Sequence, residues 1–150
     1  MTPSRRTHGI FSIILFFIAV GMADGVVFSR NAVAGWVYLG VIVAGTLGVV
    51  YSFCAKCCCK HRCSHMVLGM LARLLPKRKV GKYTGRDVTG MAASFLSIVL
   101  FPQVWLWSAP ILAIAFWILA VVIVFEIARK VCPTCQNTLC PFHPRAKVAL

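Results

Sequence analysis

Most of the chemistry open to this chain lies in eight cysteines, which fall in two clusters. One cluster reads Cys132-Pro-Thr-Cys135-Gln-Asn-Thr-Leu-Cys140-Pro-Phe-His143, a C-x2-C-x4-C-x2-H pattern. Two cysteines at this spacing can hold one metal ion from both ends of a tight turn, which Pro133 stiffens. Cys and His together are ordinary tetrahedral zinc ligands. Cys132, Cys135, Cys140 and His143 are therefore the first expected metal ligands. The other cluster reads Cys54-Ala-Lys-Cys57-Cys58-Cys59-Lys-His61-Arg-Cys63-Ser-His65. It supplies a second set, Cys54, Cys57, Cys63 and His65, with Cys58, Cys59 and His61 as substitutes. Thiols bind metal as thiolates, and nearby positive charge favours that form. Lys56, Lys60, Arg62, Arg129 and Lys130 supply it. The clusters make either two sites or one shared site, with Cys54 and Cys57 facing Cys132 and Cys135.

Zinc is preferred over an iron–sulfur cluster. Cys-Pro at Cys132 and Cys140 is similar to the Cys-Pro of cluster ligands, but there is no C-x2-C-x2-C run, and His61, His65 and His143 suit zinc. Cys132-Pro-Thr-Cys135 also has the spacing of a thioredoxin-type redox pair, although no strand precedes it. Cys54, at the end of an apolar run, is a candidate for acylation. No nucleophile–base set, phosphate loop or pair of carboxylates is present, so catalysis is not expected. The leading expectation is a docking or assembly platform held by a zinc-type site. The rivals are an iron–sulfur electron carrier linked to quinone and a membrane thiol–disulfide oxidoreductase.

The elements that must position these residues are hydrophobic. Of the 150 residues, 60% are hydrophobic and only 13% charged, whereas a soluble domain has about a quarter charged. That excludes extensive disorder and an ordinary soluble enzyme. A membrane-spanning helix needs roughly 20 apolar residues. Four such stretches are found, at about 10–28, 32–53, 91–107 and 111–127. The last two form one run too long for a single crossing, and Pro102 and Ser108-Ala109-Pro110 interrupt it. Pro lacks a backbone donor and disfavours helix at the residue before it, so a kink at Pro102 and a turn at 108–110 are expected. The fold class is thus an all-α integral membrane protein of two helical hairpins in one domain. Arg5 and Arg6 before the first run resemble the start of a signal peptide, but the run continues to Phe28 without a clean cleavage site.

Charge orients the expected bundle. Lys and Arg number 16 against 3 Asp and Glu. Two lie before the first span, nine in the loop 54–90 and four in the tail 128–150, against Arg30 alone on the other side. Lys and Arg collect on the cytoplasmic side of short loops, so both termini and all the cysteines are expected there. The cytosol keeps thiols reduced, which favours metal over structural disulfides. The segment 66–75 is apolar but too short to span, and reads as an interfacial helix. The basic run after it, from Lys77 to Arg86, should attract anionic lipid of the inner leaflet. Nucleic acid is not an expected partner, since the topology already accounts for the charge; a membrane protein partner is left open. Gly21/Gly25 and Gly40/Ala44/Gly48 are small-residue stripes that would let helices approach closely. Asp24 is expected to pair with Arg30, and Glu126 with Arg129 or Lys130 along one helix. The topology resembles that of small four-span membrane ferredoxin-like subunits, which pass electrons from quinol to periplasmic reductases. Here Ser64, not Pro, follows Cys59-x3-Cys63 and the ferredoxin tail is missing, so the resemblance covers topology and carries no ligands across.

Overall fold

A computed structural model describes residues 3–57, 66–76, 78–133, 135, 137 and 139–143. Cys58, Cys59, His61, Cys63 and His65 lie outside the described residues. Those described are helical, without strands. The elements are α1 (Pro3–Arg30), α2 (Ala32–Ser52), a 3-10 turn (Cys54–Lys56), α3 (Met66–Leu74), α4 (Gly85–Leu100), α5 (Gln103–Leu106), α6 (Pro110–Glu126) and a π-helical turn (Ile127–Val131). Four continuous helical stretches of 22 to 25 residues are long and apolar enough to cross a membrane: Thr7–Arg30, Ala32–Lys56, Gly85–Leu106 and Pro110–Val131.

A single residue separates α1 from α2. Asn31 is extended, and its Oδ1 accepts a hydrogen bond from Ala34 N at 3.0 Å, capping α2. Gly35 lies under the Phe28 ring, where a Cβ would come within 2.5 Å. The turn can be this tight because that side chain is absent.

The second hairpin straddles the first: α4 packs on α2, while α6 packs on α1. The α2–α4 crossing is made by small residues. A Cβ on Gly45 would lie 2.9 Å from the Ser94 carbonyl oxygen, and one on Gly90 would lie 2.8 Å from Ser52 Oγ; Gly48 meets Ser94. The stripe in use is therefore Gly45, Gly48 and Ser52, one face round from the expected Gly40/Ala44/Gly48. Gly21, Gly25 and Gly40 have nothing within 4 Å of a built Cβ. These three glycines do not bring helices of this chain together.

Pro102, where a kink is expected, separates α4 from α5 within the third span, and the missing hydrogen bond is chemically repaired. Without an N–H, Pro102 cannot bond the carbonyl four residues back, Ile98 O. Tyr38, fully buried on α2, donates its hydroxyl to that oxygen at 3.0 Å. Gln103 Nε2 donates to Val99 O at 2.8 Å, and its Oε1 accepts from Trp117 Nε1 on α6 at 3.2 Å. Backbone groups in an apolar setting need such partners. Tyr38 and Phe101 stack at 5.4 Å, and the core around them includes Val27, Ile98, Leu106 and Phe116. Pro110 then begins α6 at a position that needs no donor.

α4 starts at Gly85, six residues before the expected 91. Thr84 and Asp87 form its first turn: Thr84 N and Oγ1 both donate to Asp87 Oδ2, at 2.8 and 2.9 Å. The ion pairs also differ from expectation. Glu126 is met by His8 of α1 at 3.2 Å, tying α6 to α1, and Arg129 stacks over Phe125. Asp24 does not bond Arg30; its Oδ1 is buried without a hydrogen-bond partner among the described residues.

Candidate metal centre

Three C-x2-C or C-x2-H segments share one backbone geometry. Cys57 N donates to Cys54 O at 3.1 Å, Cys135 N to Cys132 O at 3.1 Å, and His143 N to Cys140 O at 2.9 Å. Each pair thus closes a single tight turn with both candidate ligands at its ends. The first turn continues directly from α2. The second hangs from the π turn after α6, where Cys132 N reaches back to Ile127 O at 2.8 Å. Asn137 organises the third: its carbonyl accepts from Cys140 N at 3.2 Å, and its Oδ1 accepts from Leu139 N at 3.2 Å.

The tail folds back onto the end of α2. Asn137 is buried, and its Nδ2 donates to Cys57 Sγ at 3.4 Å and to Tyr83 Oη at 3.2 Å. Tyr83 Oη in turn donates to Phe53 O at 3.2 Å. The Phe53 ring stacks on Tyr83 at 4.3 Å and meets Phe142 at 5.6 Å. These contacts bring Cys57 beside Asn137, 80 residues away in sequence.

The thiols sense one another. Burial, above all, pushes the Cys140 thiol up to about 11 from an ordinary 9.0, with Cys132, Cys135 and Cys57 adding to the rise. Burial, then Cys135, pushes Cys132 up. Burial also raises the Tyr83 phenol, helped by Cys57, Cys140 and Cys54. Cys54, Cys57, Cys132, Cys135 and Cys140 are all half-buried. His143 is 5% exposed, and its Nε2 lies 3.0 Å from Cys135 O. A carbonyl oxygen only accepts, so this nitrogen donates, which leaves Nδ1 as the nitrogen that could face a metal. His143 fastens the Cys132–Cys135 turn to the Cys140 turn. Among the described residues, no three His, Cys, Asp or Glu side chains are gathered as a ligand set. The thiols thus influence one another electrostatically without forming a ligand set.

The site rests on a further node that the cysteine pattern does not announce. Asp87 is buried, 2% exposed. Its Oδ2 accepts from Lys56 Nζ at 2.7 Å, and its Oδ1 from Arg78 Nη2 at 2.9 Å. Lys56 belongs to the Cys54–Cys57 turn, so the carboxylate holds that turn against α4. Arg78 also reaches the carbonyls of Tyr51 and Ser52, both at 3.4 Å, at the end of α2. Thr84-Gly-Arg-Asp87 before an apolar run carries the capping-box spacing that could have revealed Asp87. Asn137 and Tyr83 carry no comparable local signal.

A groove among the described residues lies elsewhere. It encloses about 600 Å³ along α5 and α6, with Trp107, Trp117 and Ile118 in its walls and the Gln103 amide at its edge. Gln103 is already bonded on both sides of its amide, so the groove offers little chemistry. No protein-family model, curated protein or solved structure matches this chain.

Proposed function

We propose that this chain is a small multi-pass membrane protein whose basic end carries a shared, zinc-type cysteine centre with a docking or assembly role. The proposed ligands are Cys57, Cys132, Cys135 and Cys140. The observation that carries the reading is the fold-back of the tail: the turn after α2 and the two turns after α6 meet around Asn137 and Tyr83, with Cys140 in the field of the other three thiols. Relative to the set expected from spacing, Cys57 takes the fourth place because it meets the tail at Asn137 and lies in the field that Cys140 senses; His143, which could ligate through Nδ1, is the substitute. Zinc needs four ligands at about 2.3 Å for sulfur. A tetrathiolate zinc centre is negative by about two charges, and a chain of net charge +13 is suited to hold it. The four apolar helices support insertion in a bilayer. The excess of Lys and Arg on one side supports cytoplasmic termini.

Metal content tests the reading. Protein purified without a His tag should contain about one zinc per chain and be colourless. Cys57→Ser and Cys135→Ser should each remove most of it, because both thiols serve one ion, whereas Cys54→Ser should keep it. Brown protein whose visible absorption is bleached by reduction would select the iron–sulfur alternative. Less than about a tenth of an equivalent of any metal, with all thiols reactive, would end the metal reading. Labelling of Cys140 by an impermeant maleimide from outside intact cells would reverse the proposed orientation.

A further inference from the structure

We infer that α3 and the segment 78–86 form a docking surface for anionic phospholipid headgroups, independent of any metal. α3 is too short to span a bilayer and is amphipathic in position as well as composition. Gly69 and Ala72 are buried on the side toward the Cys54–Lys56 turn and α2. Val67, Met70 and Leu74 are 48%, 61% and 81% exposed. At spacings of three and four they share one edge of the helix, and Val80 adds a further exposed apolar side chain at 55%. Such an edge suits the boundary between headgroups and acyl chains.

The structure sorts the cations next to it. Lys56 and Arg78 are turned inward onto Asp87, whose carboxylate offsets one of their two charges. Lys79, Lys82 and Arg86 are exposed and have no hydrogen bond or ion pair among the described residues. Asp87 is the sole acid between residues 54 and 90, and its burial leaves this surface without an exposed carboxylate. Three unneutralised cations beside an exposed apolar edge complement a phosphate-bearing, anionic lipid surface. A neutral zwitterionic one lacks the matching charge. Each cation near such a surface changes the preference roughly fivefold, so three together change it roughly a hundredfold.

Native mass spectrometry of the full chain in a neutral detergent tests this, with phosphatidylglycerol or phosphatidylcholine of the same acyl chains titrated in. Phosphatidylglycerol should bind about a hundredfold more tightly, and it should slow amide hydrogen exchange across Met66–Leu74. The variant Lys79→Gln/Lys82→Gln/Arg86→Gln should lose both effects. Lys79→Arg/Lys82→Arg should retain them, and Arg129→Gln should change neither. Equal binding of the two lipids would overturn the inference, as would a preference that survives in the triple Gln variant. Displacement of the lipid by RNA, with the same dependence on these three residues, would assign the surface to nucleic acid instead. Recovery of the protein in neutral phosphatidylcholine discs reports on membrane insertion separately, since it does not depend on these cations.

Discussion

Cys140 shows how little a cysteine's spacing says about its reactivity. Burial holds its thiol near 11, against an ordinary 9.0, which at neutral pH leaves roughly a hundredfold fewer thiolates. In metal-free protein, Cys140 should therefore alkylate about a hundredfold more slowly than an ordinary thiol, with a rate that climbs until pH about 11. Mass-resolved alkylation across a pH series reads this directly. The sign for stability follows. The folded state keeps this proton to higher pH than the unfolded chain does. Its contribution is complete below about pH 9 and is lost as the pH rises toward 11. Metal would reverse the preference, because only the thiolate binds, so zinc uptake should release protons. The residues around the thiols were unequally legible. The two C-x2-C spacings by themselves mark tight turns, and both close; the third turn, at Cys140–His143, is seen only in the structure. That the proton on His143 Nε2 serves Cys135 O, and that Asn137 bonds Cys57, depends on how the turns meet.

At the scale of elements, the break in the third span carries the sharpest prediction. Tyr38→Phe removes the hydroxyl that serves Ile98 O and leaves that carbonyl buried, at a cost of about 1–3 kcal/mol. Pro102→Ala restores an N–H four residues after Ile98. In the Tyr38→Phe background it should recover part of the loss, so the two changes should be non-additive in unfolding measurements in detergent. The helix crossings give a second contrast. Gly45→Val forces a side chain against the Ser94 carbonyl and Ile98 and should cost about 1–3 kcal/mol. Gly25→Val meets open space and should stay within about 0.5 kcal/mol. Similar losses for both would show that the α2–α4 crossing is looser than described. The four apolar helices and the Pro102 break were legible because length and proline chemistry are local properties. The packed glycines were not. The spans are apolar nearly all the way round, so no periodic contrast marks the face that meets a neighbour.

For the molecule as a whole, Asp87 joins the parts. It anchors the start of α4, the Cys54–Cys57 turn through Lys56, and the basic segment through Arg78. Asp87→Asn leaves both cations without their carboxylate. Arg78, the more exposed, can turn to water, so the loss should fall near the lower end of the range for broken buried pairs, about 3 kcal/mol. The Cys57 thiol should also become more reactive as its turn loosens. An unchanged melting temperature and unchanged Cys57 labelling would show that the node does not hold the loop. The sequence by itself determined that the chain is built of long apolar helices, that nearly all its Lys and Arg fall before the first span, in the loop 54–90 and in the tail, and that Cys54/Cys57 and Cys132/Cys135 are spaced for tight turns after helices. Composition, length and residue spacing are enough for those. The tertiary structure alone decided that α4 lies on α2 while α6 lies on α1, that Tyr38 repairs the carbonyl Pro102 leaves open, and that Cys57 joins the tail cysteines. Each of these joins groups far apart in the chain, by 60 residues for Tyr38 and Ile98 and by 80 for Cys57 and Asn137, and such pairings follow from how apolar surfaces and buried polar groups are satisfied together, which no local pattern encodes.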